Sequence, residues 1–144
     1  GWTEVFQSTS GSGGKYYVYT RTVVAETTTG AFSWSASRSG SMCLLCYDAG
    51  TSIQAGTDNA PGSSTTLTAL SFTPTENGVL LALFGAATSG RTVTTAPSGM
   101  TQRLADSNLF VYELSPSAPS ATGDKSLVVN ASTQSLNVQL QIIR

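Results

Sequence analysis

Apolar and polar residues alternate with a period of two over most of this chain, a pattern that strands satisfy and amphipathic helices do not. The C-terminal run is the clearest instance: Leu136, Val138, Leu140 and Ile142 alternate with Asn137, Gln139, Gln141 and Ile143. It reads as a strand with one face on a core and the other on water or a neighbour. β-branched and aromatic runs recur about every ten residues between Gly, Pro, Ser and Asn clusters. The expected strands are residues 2–7, 15–23, 31–37, 41–48, 64–72, 78–85, 100–104, 109–114, 125–131 and 136–143. About ten such strands are too many for one flat sheet and enough for two stacked ones. The expected fold is an all-β, antiparallel β-sandwich, Ig-like or jelly-roll-like, forming one domain over residues 1–144.

The patterns also predict burial. Residues 78–85 and 41–48 are apolar on both faces, so both are expected to lie centrally in a sheet. In 15–23, Tyr17 and Tyr19 share one face and Tyr16 and Val18 the other, which predicts cover on both sides. Phe32 and Trp34 point one way and Ser33 and Ser35 the other, so that strand is expected to be half-exposed. Residues 49–63 read as a joint and 86–98 as a loop carrying Arg91, while Pro116 and Pro119 are expected to end the strand before them.

The order of events repeats. Gly1-Trp2-Thr3 leads to Tyr16-Tyr17-Val18-Tyr19, and Gly99-Met100-Thr101 leads to Leu109-Phe110-Val111-Tyr112. The chain therefore divides into a partial repeat, 1–50, and a full repeat, 51–144. The first unit lacks counterparts of 64–72 and 78–85, so the N-terminus, Gly rather than Met, is expected to be processed, trimmed or cut from a longer chain. Pro97 and Gly99 are expected to turn the chain, with Met100 or Trp2 anchoring the next strand in the core.

Composition narrows the chemistry. Charged residues make up 10% of the chain and the net charge is -1. No basic stripe or polybasic segment is present for phosphates or a membrane surface, and nucleic acid and membrane are not expected partners. With no histidine, imidazole chemistry is excluded, and no serine has an evident base. The acidic residues are scattered singly rather than paired as a glycosidase requires, so neither catalytic residues nor an enzyme is expected. Cys43 and Cys46 sit at an odd strand separation, pointing to opposite faces as buried free thiols, and zinc would need two further ligands. Calcium on Asp58 and Asn59 is weighed against turn chemistry, which explains both residues without a metal; no cofactor or metal is expected. Asn130-Ala131-Ser132 matches a glycosylation sequon but falls inside an expected strand. Trp2, Trp34, Tyr16, Tyr17, Tyr19 and Tyr47 could supply a sugar-stacking platform, though core packing is the expected role of most. The candidate ligand or partner contacts are Trp2, Tyr47 and Arg91.

The Gly78-Val79-Leu80-Leu81-Ala82 strand, Ala96-Pro97-Ser98-Gly99-Met100-Thr101, the aromatic strand after it, and Cys46-Tyr47-Asp48-Ala49-Gly50 together resemble a Ser/Thr-rich β-sandwich repeat of tailed-phage virion proteins. That group occurs in head decoration, head-fibre and tail-associated proteins and in some bacterial surface proteins. This chain departs from it in having Asn77 before Gly78, Met100 in place of Trp, and Asp48-Ala49-Gly50 where Arg-Gly-Val is common. The resemblance implies a non-enzymatic virion structural protein, a capsid decoration or fibre component, assembled in the host cytoplasm and located in the virion. Its implied partners are copies of itself and other virion proteins, met through residues 64–72 or 134–144 as edge strands. The alternative is a carbohydrate-binding or adhesive module that takes a surface glycan at the cell surface.

Overall fold

In the computed structural model, which describes residues 2–8, 15–21, 41–48 and 50–144, ten strands form three antiparallel sheets. They are β1 (Thr3–Ser8), β2 (Tyr16–Thr20), β3 (Ser52–Ala55), β4 (Ser64–Ala69), β5 (Gly78–Ala86), β6 (Val93–Thr95), β7 (Thr101–Ala105), β8 (Leu109–Ser117), β9 (Lys125–Thr133) and β10 (Ser135–Ile143). The central sheet has the order β3-β10-β5-β8-β7; β4-β9-β6 forms a second sheet, and β1-β2 a third. Among the described residues no helix is long and apolar enough to cross a membrane.

The central sheet is covered on both faces, because β5 is apolar on both. Ala82, Phe84 and Ala86 of β5 join Phe110 and Tyr112 of β8 on the inner face, against Leu67 and Ala69 of β4 and Leu127 and Val129 of β9. Val79 and Leu81 with Val138, Leu140 and Ile142 of β10 form the outer face, covered by Phe6 of β1, Val18 of β2, Leu45 and Tyr47. A fully buried Leu or Phe contributes about 1.5–3 kcal/mol, so these two layers dominate the stability of the domain.

Strand 78–85 is central as its composition predicts, and Gly78 is required at its start because a Cβ there would collide with the carbonyl oxygen of Ile142. Gly99, at φ +72°, turns the chain into β7, and Met100 packs against the inner core as expected.

Several expectations are corrected. Residues 41–48 form no strand: they lie extended over the outer face, with Ser41, Cys43, Leu45 and Tyr47 half-buried and Met42, Leu44 and Cys46 exposed. β10, β5 and β8 already fill the interior of the sheet, so this segment packs on it rather than within it. The two thiols are not both buried as expected: Cys46 is exposed and Cys43 only partly buried, which pushes the Cys43 thiol pKa up. The joint 49–63 contains β3 and the loop 86–98 contains β6. β8 continues through Pro116 to pair Ser117 with Gly78. This costs no ladder bond with β7, whose register stops at Glu113.

Tyr17 and Tyr19 are 41% and 42% exposed rather than covered, and Trp2, at 38%, is not a core anchor. Strand 31–37, with Phe32 and Trp34, lies outside the described residues.

The largest correction concerns β10. Every residue in it is buried, including Asn137, Gln139 and Gln141, each 0% exposed, so the side expected to face water or a neighbour is covered within the chain itself. Their amides bond the end of β4 and the loops that roof the inner face. Gln139 Nε2 donates to the carbonyls of Ala69 (2.9 Å) and Gly123 (2.8 Å), and Gln141 Nε2 donates to that of Glu76 (2.8 Å). Asn137 Nδ2 donates to Asn59 O (3.3 Å) and Ser135 Oγ (3.0 Å). The row thus acts as a polar seam that fixes non-repetitive chain onto the sheet. Because β10 lies between β3 and β5, residues 134–144 cannot serve as an edge for a partner, whereas β4 is an edge as expected.

Candidate functional site

The three candidate contacts do not converge. Trp2 stands at the start of β1 with the Arg21 guanidinium 6.0 Å from its ring centroid. Arg91 is half-buried beside a cavity of about 450 Å³ lined also by Val93, Gln102, Asp106 and Phe110. Its Nη2 donates to Ser132 O (2.9 Å) and its backbone N–H to Ser107 O (3.0 Å), so it pins the 86–92 loop to β9 and to the 106–108 turn. Tyr47 alone borders a cleft where charged groups gather. Asp58 accepts a hydrogen bond from Ser8 Oγ. Asn59 forms an isolated bridge with Asn137 and donates from Nδ2 to Thr68 O (2.8 Å), so both residues weighed as calcium ligands are engaged in holding loop to strand.

The Tyr47 cleft is about 350 Å³, lined by Leu45, Cys46, Tyr47, Arg103, Glu113, Ser115 and Arg144. Thr101 pairs with Glu113 and shares its face, and alternation along β7 places Arg103, two residues on, on that same outer face; Gln102 pairs with Tyr112 and Leu104 with Val111, so a β-bulge follows at Arg103. Tyr112 Oη donates to Gln102 Oε1 (3.1 Å) on the opposite face, which fixes that register.

Glu113 is 6% exposed, and its carboxylate is held by three donors. Arg103 Nε donates to Oε2 (2.9 Å), Arg103 Nη2 to Oε1 (2.8 Å) and Tyr47 Oη to Oε2 (2.6 Å). A forked guanidinium on a carboxylate is among the stronger pairings available, and it compensates part of the cost of burying the charge. The Arg103 hydrogen bonds hold Glu113 below the usual carboxyl range, assisted by Tyr47 and opposed by burial. Tyr47 is pushed up, chiefly by burial and then by its bond to the carboxylate. Arg144 places its guanidinium carbon 5.4 Å from the Tyr47 ring centroid, a cation–π contact. Its charge also lowers the Glu113 pKa.

Glu113 lies on the face opposite Phe110 and Tyr112, as alternation along 109–114 implies, but its cleft is not legible in the pattern because the cover over that face comes from residues 41–48. The signal available was a lone acid between apolar neighbours, Tyr112 and Leu114, with Arg103 close in sequence across the 106–108 turn. Such an acid needs a partner cation wherever its strand is covered.

Comparison with known protein families, curated proteins and solved structures returns no match for this chain.

Proposed function

We propose that this chain is a non-enzymatic virion structural protein, a phage capsid decoration or fibre component, and that it assembles with copies of itself through β4. The observation that carries the reading is the chemistry of that edge. β4 reads Ser-Thr-Thr-Leu-Thr-Ala, with neither a charge nor a proline, and it is an edge of the three-stranded sheet, with its Thr66 N–H held by Ser64 Oγ (3.0 Å) and its Thr68 carbonyl by Asn59 Nδ2 (2.8 Å). Edge strands commonly carry Lys, Pro or a bulge that prevents pairing. Here the irregularity lies between Ser64 and Thr66, and the register with β9 is regular from Thr66 to Ala69.

The finer architecture we propose is a β-sandwich of two sequence-similar units. A shared irregularity supports it. In β1–β2, Glu4 pairs with Tyr19 and Phe6 with Val18, leaving Val5 as the extra residue. In β7–β8, Gln102 pairs with Tyr112 and Leu104 with Val111, leaving Arg103. Each bulge falls four residues after the glycine of its Gly-Trp-Thr or Gly-Met-Thr. Bulges are built features of a family's strands rather than defects, so a common position favours common descent of the hairpins.

A carbohydrate-binding or adhesive surface module is the second reading. Tyr17 and Tyr19 favour it: both are exposed on the hairpin surface, their rings 15° from parallel with centroids 6.4 Å apart.

Sedimentation velocity over a range of concentrations, together with mass spectrometry of virions from the phage carrying the gene, tests the first reading. The native chain is expected to self-associate and to be present in particles, and Thr66→Lys to sediment as a monomer. A native chain that stays monomeric throughout and is missing from the particles overturns it.

A further inference from the structure

We propose that the cleft beside Tyr47 binds the carboxylate of a single acidic sugar residue between the guanidinium groups of Arg103 and Arg144. The balance of donors and acceptors carries this. Among the described residues Glu113 is the only carboxylate side chain lining the cleft, and both of its oxygens are already engaged by Arg103 and Tyr47. Those bonds also use the Tyr47 hydroxyl proton. What the lining still offers are donors. A guanidinium has five N–H groups, and Arg103 directs two of them, from one edge of its fork, to Glu113. Its side chain is 44% exposed, so the far edge is accessible. Arg144 is exposed, and its contact with the Tyr47 ring keeps the cation at the cleft without using its N–H groups on a carboxylate. Ser115 adds a hydroxyl and Cys46 a thiol.

Among the described lining side chains two arginines stand against one glutamate, a side-chain charge of +1 that suits an oxyanion and disfavours a cation. About 350 Å³ is at the small end of ligand cavities and fits one substituted sugar ring. Among the described residues Leu45 is the only aliphatic side chain in the lining, so the wall suits a polyhydroxylated ligand better than a peptide segment that needs apolar contacts. The site specifies a ligand for the glycan-binding reading at a place other than Tyr17 and Tyr19. It stands apart from assembly through β4, which lies in the sheet covering the opposite face of the central sheet.

The test follows the side-chain Nε–H resonances of Arg103 and Arg144 and the ring resonances of Tyr17 and Tyr19 by NMR. The labelled protein is titrated with glucuronate, with glucose as the neutral control and N-acetylglutamate as a peptide-like acid. Glucuronate is expected to give saturable shifts at both arginines, with a dissociation constant on the order of 1 mM. Arg144→Gln should weaken it about tenfold, as should NaCl at about 0.5 M, because the attraction is between accessible charges. Glucose should leave the arginines unmoved. No saturable shift with glucuronate, an equal response to glucose, or full affinity in Arg144→Gln overturns the proposal. N-acetylglutamate binding as tightly as glucuronate overturns the sugar assignment. Shifts confined to Tyr17 and Tyr19 overturn the cleft as the site while leaving glycan binding on the hairpin intact.

Discussion

Replacing Gln139 by Met distinguishes a buried seam from a solvated strand face. Gln139 is 0% exposed, and its Nε2 donates to the carbonyls of Ala69 and Gly123. Methionine matches its length and volume but donates nothing. Ala69 is itself fully buried, so no water replaces the lost donor there, at a cost of about 2 kcal/mol. Gly123 is exposed, and its carbonyl can be rehydrated, which limits that loss to about 1 kcal/mol. Gln139 Oε1 is buried without a hydrogen-bond partner, and removing it returns about 1 kcal/mol. The net expectation is a destabilisation of about 2 kcal/mol, against a few tenths for a glutamine on a water-facing strand. In equilibrium urea unfolding the midpoint should fall by about 1 M with the slope unchanged. The melting temperature should fall by roughly 6 °C for a domain of this size. A Gln139→Met protein as stable as the native chain would refute the reasoning, because it would mean that the two carbonyls lose nothing when their donor is removed.

Glu113 supplies a pH signature. Its folded pKa lies below the unfolded value, first because of the Arg103 hydrogen bonds, so its contribution is fully present above the ordinary carboxyl pKa. That contribution is lost as pH falls through the depressed folded value, and Glu113→Gln should flatten this acid limb in denaturation curves measured between about pH 6 and pH 2. Gly78→Ala should destabilise by about 3 kcal/mol in the same unfolding assay, since its Cβ meets backbone at Ile142 that cannot move without disturbing β10. Gly62→Ala, where nothing lies within 4 Å of the new Cβ, should stay within about 0.5 kcal/mol of the native chain.

Local pattern determined which segments extend, and non-local cover determined which faces are wet. Residues 78–85 were legible as a central strand because apolar side chains on both faces leave no alternative in a β protein. Residues 41–48 carry a similar composition, yet they lie on the sheet, and only the competition of β5, β8 and β10 for its interior decides that. The alternation in β10 correctly marked a strand and left its polar side to water or a neighbour. Asn137, Gln139 and Gln141 are buried because the carbonyls that receive their protons lie at Asn59, Ala69, Gly123, Glu76 and Ser135's hydroxyl stands beside them, a set scattered through the sequence. β3 and β6 are too short to show a period, and the ladders with β10 and β9 create them.

The candidate site was legible only at Tyr47. Arg103 reaches Glu113 because Thr101 pairs with Glu113 and alternation returns Arg103 to the same face, a placement that needs the register of the hairpin as well as the pattern of each strand. Arg144 joins them through the end of β10, whose neighbours the sequence does not display.

Amide hydrogen exchange on dilute and concentrated protein tests assembly through β4 most directly. In β4, the amides not directed at β9 are expected to exchange quickly when dilute and to slow on concentration, while β10 remains protected at both, being interior to its sheet. Exchange in β4 that stays equally fast at every concentration would contradict the account.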